Sequence, residues 1–106
     1  MNNASLTPSE QEQVRAALAY WRDHWDFECS TLFGIELEEL IAVLSKWPKT
    51  GTLNKETEAL AVIGSLRELL YGASTPRCEL LPSILGVEYD AATALCTKVH
   101  GLYRAV

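Results

Sequence analysis

No apolar run in this 106-residue sequence approaches the roughly 18 to 20 residues that a membrane-spanning helix needs. The opening Met1-Asn2-Asn3-Ala4-Ser5 has neither the basic nor the apolar region of a secretion signal, so the expectation is a cytoplasmic protein without a membrane partner. Cysteine is scarce as well. Cys29, Cys78 and Cys96 are an odd number without close pairing, which argues against a disulfide framework and for thiols packed as small apolar residues. Basic charge is short: nine Lys and Arg face 14 Asp and Glu, for a net charge of -5. Residues 1–48 hold eight acids against three bases and residues 49–106 hold six of each, so the first half carries the whole excess. Nucleic-acid binding begins with phosphate neutralisation by Lys and Arg, and this balance disfavours it.

Catalytic and metal-binding signatures are missing too. There is no HExxH, paired CxxC, nucleophile elbow or phosphate-binding glycine loop. His24 and Glu28 stand four apart, with Cys29 adjacent and Asp23 nearby, but these side chains spread around a helical wheel instead of converging as three or four donors must. Neither a metal nor a cofactor is therefore expected. An enzyme would have to draw on groups far apart in the chain, such as Cys78 near a helix start and His100 as its base.

What the sequence has is helical periodicity, with 48% apolar and 22% charged residues. Thr7-Pro8-Ser9-Glu10 is a helix start in which Thr7 caps, Pro8 takes the first helical position and Glu10 closes a capping box. From there Val14, Ala17, Leu18, Trp21, Trp25, Cys29 and Leu32 recur every three or four residues, predicting one helix over 8–33 that Gly34 ends. Leu37, Leu40, Ile41 and Leu44 are the inward face of a second helix over 35–47, stopped by Pro48. Residues 48–52 read as a loop. A third helix over 54–71 carries Ala59, Val62, Ile63, Leu66, Leu69 and Leu70 on one face and ends at Gly72. A short helix over 77–85 contains Pro82, which kinks it or delays its start. The last, over 88–104, presents Ala92, Leu95, Cys96, Val99, Leu102 and Tyr103. The fold class is all-α: one helical domain, a compact bundle of about five helices with the first at its centre and residues 1–6 frayed.

Two seven-residue stretches echo each other. Leu32-Phe33-Gly34-Ile35-Glu36-Leu37-Glu38 and Ile84-Leu85-Gly86-Val87-Glu88-Tyr89-Asp90 share two bulky apolar residues, a glycine, a β-branched residue and an acid-bearing helix start. Repeated turn chemistry accounts for both: the glycine ends one helix and the acids meet the positive end of the next.

Tyr20, His24 and Phe27 fall on a second face of the first helix, about 100° from its core stripe, and make it apolar over roughly 200°. Either later helices cover both faces, or the aromatic face meets a partner, since this composition is enriched at interfaces. Tyr20, His24 and Phe27 are therefore the candidate partner-binding residues of a small acidic interaction module, an adaptor, inhibitor or immunity-like protein. Its partner would be a basic protein, drawn by the acids of the first half, or a second copy forming a homodimer.

One segment suggests an alternative. Residues 81–95, with Gly86 in a turn and apolar Leu81, Leu85, Val87, Ala92 and Leu95, resemble the helix-turn-helix family of DNA readers. That resemblance implies a reading helix over the last segment and a basic surface from Arg77, Lys98 and Arg104. Departures are Pro82 where a small residue is expected, and Glu88 and Asp90 where phosphates would lie.

Overall fold

A computed structural model describes residues 6–25, 27–47, 55–71 and 81–104. Their secondary structure is helical throughout: α1 (Pro8–His24), α2 (Cys29–Phe33), α3 (Leu37–Lys46), α4 (Lys55–Tyr71), α5 (Leu81–Leu85) and α6 (Tyr89–Arg104). The loop expected at 48–52, the ends assigned to Pro48 and Gly72, and residues 77–80 of the expected fourth helix lie outside the described residues, as do Arg77, Cys78 and Asp26.

The start of α1 is built as its sequence requires. The Thr7 N–H donates to Glu10 Oε1 at 2.8 Å and the Glu10 N–H donates to Thr7 Oγ1 at 3.1 Å, satisfying two amide donors that no helical carbonyl reaches. Glu10 Oε1 also accepts from Lys98 Nζ at 2.8 Å, so the cap of the first helix is tied to the last one. Lys98, with the Thr7 N–H after it, holds the Glu10 carboxyl below its ordinary range.

Gly34 and Gly86 adopt φ of +79° and +80°, the left-handed conformation that lets a helix end and the chain reverse at no steric cost. Ile35 is then buried and Val87 half-buried, so the echoed sequences do make the same turn twice.

The first expected helix is two. It stops at His24, Trp25 turns to extended backbone (φ -65°, ψ 136°), and α2 begins at Cys29. Neither glycine nor proline marks the break. His24, Trp25, Asp26 and Phe27 all belong to the weaker helix formers, and tertiary packing does the rest: the turn swings Phe33 onto Trp21 and Trp25, with ring centroids 5.6 and 5.0 Å apart. Phe33 takes the buried place that an unbroken stripe gave to Leu32.

The centre is also elsewhere. α4 touches α1, α2, α3 and α6, and its buried residues run around most of its circumference: Ala61, Val62, Gly64, Ser65, Leu66, Glu68, Leu69 and Leu70. The expectation of α1 at the centre fails because α4 hides polar side chains by satisfying them. Ser65 Oγ donates to the carbonyl of Ala61 at 2.8 Å, and the Ser65 carbonyl accepts from Trp21 Nε1 at 2.9 Å. Glu58 accepts from Tyr103 Oη at 2.7 Å and Glu68 from Arg67 Nε at 3.2 Å. Among the described residues no fully buried side-chain nitrogen or oxygen lacks a partner.

Gly64 permits the closest of these packings. A Cβ there would stand 2.8 Å from the Phe33 ring, so the missing side chain is the space in which that ring lies. On α3 one inward assignment is reversed: Ile41 is exposed, and Val43 is buried in its stead. Trp47 closes this side of the core, its Nε1 donating to the Gln11 carbonyl at 2.8 Å while Arg15 Nη2 donates to the Trp47 carbonyl at 3.0 Å.

Candidate functional site

Tyr20, His24 and Phe27 do not share a helical face, because the helix ends between the second and the third. Tyr20 and His24 stay together: their rings stack with centroids 4.1 Å apart and planes inclined by 14°. His24 Nδ1 lies 2.8 Å from the Tyr20 carbonyl, which can only accept, so Nδ1 carries the proton and fixes the ring over the end of α1. Tyr20 in turn sets its ring edge-on to Trp21 at 5.1 Å. His24, Tyr20, Trp21, Phe33 and Trp25 thus form a continuous chain of ring contacts from an exposed histidine into the core.

Phe27 is outside that chain of contacts and 90% exposed. Trp25, two residues before it, packs on Phe33, and Cys29, two residues after it, is buried. The Glu28 carbonyl accepts from the N–H groups of Thr31 and Leu32 at 3.1 and 3.0 Å, starting α2. Beside the ring is an open hollow of about 350 Å3 lined by Phe27, Glu28, Thr31 and Leu32. Its Leu32 wall is braced from the central helix, since Arg67 Nη2 donates to the Leu32 carbonyl at 3.0 Å.

Thr31 and Glu28 were not expected at this site, and Leu32 was assigned to the core. The clue available in the sequence was the run of weak helix formers from His24 to Phe27, which allows a corner where periodicity alone draws a straight helix.

Glu12, Asp23, Glu28, Glu36, Glu38 and Glu39 of α1 to α3 and their connections are all exposed. Two of the three bases in this half are already met by acids: Arg22 Nε donates to Asp23 at 2.9 Å and Arg15 lies 3.5 Å from Glu12. Their contact holds the Asp23 carboxyl below its ordinary range and raises the Arg22 guanidinium. No group of three or more His, Cys, Asp or Glu side chains among the described residues is placed to hold a metal ion. Cys29 and Cys96 are buried thiols outside any disulfide, and burial pushes the Cys96 thiol up, away from the thiolate that nucleophilic chemistry needs.

In the segment compared with DNA readers, α5 and α6 are joined through the left-handed Gly86. Lys98, one of the bases assigned to a DNA surface, is engaged by Glu10, while Glu88 and Asp90 are exposed where α6 begins. No described helix is long and apolar enough to cross a membrane.

Comparison with family models, curated proteins and solved structures finds no match to this chain.

Proposed function

We propose that this chain is a protein–protein interaction module that docks its partner on the corner between α1 and α2, with Phe27 as the anchor and the stacked Tyr20 and His24 beside it in the chain. The observation that carries this reading is a phenyl ring 90% exposed at a turn where Trp25, two residues before it, packs on Phe33 and Cys29, two residues after it, is buried. Burying a phenylalanine side chain is worth about 1.5 to 3 kcal/mol, which a partner gains on docking. Little side-chain entropy opposes it, because an aromatic ring has few torsions to fix.

The test is differential recovery of binding proteins on the immobilised wild-type chain and on Phe27→Ser, with helicity checked by circular dichroism. Proteins held by the wild type and lost from the folded variant are the expected result. Identical recovery on both would reject the corner as a docking site. DNA reading at α5 and α6 has the turn in its favour but sets Glu88 and Asp90 against the phosphates and leaves Lys98 occupied. Salt-sensitive binding of duplex DNA would be needed to revive it.

A further inference from the structure

We infer that this chain is two copies of one three-helix unit, α1 to α3 and α4 to α6, which dock on each other as the subunits of a dimer do. The docking face of either unit then also fits the other unit in a second copy of the chain. The repeated glycine turn is the centre of a longer match. A shift of 52 residues carries Cys29–Phe33 of α2 onto Leu81–Leu85 of α5, Gly34 onto Gly86, and Leu37 at the start of α3 onto Tyr89 at the start of α6. The short helices have five residues each, and the long helices before them, α1 and α4, have 17 each. Burial keeps the same register past the turn: Phe33, Leu40, Val43 and Trp47 are buried, as are Leu85, Ala92, Leu95 and Val99. Turn chemistry alone accounts for the glycine and the acid after it, not for equal helix lengths before it and equal register beyond it.

The contacts are reciprocal as well. Within the units α1 packs on α3 and α4 on α6; between them α1 meets α4, and each five-residue helix packs on the long helix of the other unit, α2 on α4 and α5 on α1. Arg67 of α4, whose Nη2 donates to the Leu32 carbonyl of α2, is part of this exchange. Lys98, matched to Lys46 at the end of α3, reaches the start of α1 with its Nζ 2.8 Å from Glu10 Oε1, and Lys46 leads through residues 48–54 to the start of α4. Each unit's third helix thus runs to the first helix of the other. The units differ in that α6 continues to Arg104, and in that α3 packs more extensively on α4 than α6 does on α1 among the described residues. Exchange of matching elements is how protomers hold each other in a domain-swapped dimer, and a second copy offers the same face as the tethered unit. The link through residues 48–54 favours pairing within one chain by raising the effective concentration of one unit at the other.

The experiment uses the whole chain with a protease site placed between Thr50 and Gly51, made once at natural isotopic abundance and once labelled with heavy nitrogen. Both are cut, mixed and weighed by native mass spectrometry, with helicity followed by circular dichroism. The expected result is that the cut chains keep their helicity and form mixed pairs, a first unit of one isotopic composition with a second unit of the other. Loss of helicity on cutting, or the absence of mixed pairs after unfolding and refolding together, would overturn the fit between copies. A permuted chain, opened at the same place and joined from Val106 to Met1 through a Gly-Ser link, tests the equivalence of the units by reversing their order. It is expected to fold with wild-type helicity and a single unfolding transition, and a permuted chain without that helicity would overturn the repeat. Neither arm involves Phe27, so failure here leaves the docking corner standing.

Discussion

Gly64 and Phe33 show how one residue sets the distance between two elements. A glycine inside a helix costs about 1 kcal/mol relative to alanine, so replacing it would ordinarily stabilise α4. Here the new methyl would stand 2.8 Å from a ring that Trp21 and Trp25 hold in place. Gly64→Ala is therefore expected to destabilise by about 1 to 3 kcal/mol, measured by urea unfolding. Tyr103 is a second residue with a readable consequence. Burial, reinforced by the Glu58 carboxylate, raises its phenol well above the ordinary value. A raised folded value means that the contribution of Tyr103 is complete below about pH 10 and is lost as the pH rises beyond that. Tyr103→Phe should cost about 1 to 3 kcal/mol at neutral pH and flatten the decline in unfolding midpoint above pH 10. An equally steep decline in the variant would assign the alkaline loss to other groups.

Helix starts and stops were legible in the box of Thr7 and Glu10 and in the left-handed Gly34 and Gly86. The corner after α1 was not. It depends on Trp25 and Phe33 finding each other across a turn, a contact between elements that a helical wheel does not contain. The same limit hid the corner's composition, because Leu32 belongs to the apolar stripe only if the helix continues. The N-terminal cap makes a further prediction about an element. Glu10 has a lowered folded value, so its contribution is complete above its ordinary value of 4.5 and lost as the pH falls through the lower one. Glu10→Gln should weaken the attachment of α1 to α6 by up to about 1 kcal/mol near neutrality, the range of partly exposed ion pairs. It should also make the unfolding midpoint less dependent on pH below 4.5 than in the wild type. Unchanged acid sensitivity would place the titrating group elsewhere.

At the scale of the molecule, an all-α bundle was readable from periodicity, but the choice of central helix was not. α1 looked central because its aromatic residues widen its apolar face, while α4 contains Glu58, Ser65 and Glu68, which sequence patterns place in water. Tyr103 and Trp21 come from other elements and Arg67 from α4 itself, and their hydrogen bonds to Glu58, the Ser65 carbonyl and Glu68 make those positions compatible with burial. The core around α4 and the corner at Phe27 should then respond differently to truncation. Leu66→Ala and Leu95→Ala remove buried side chains and should each cost about 2 to 5 kcal/mol. The most direct measurement is equilibrium urea unfolding of Phe27→Ser in dilute solution beside the wild type. A stability within about 0.5 kcal/mol of the wild type is the expected result, as for a surface position that folding does not use. A loss of 2 kcal/mol or more, of the order found for buried side chains, would place Phe27 in the core and contradict its role as an exposed anchor.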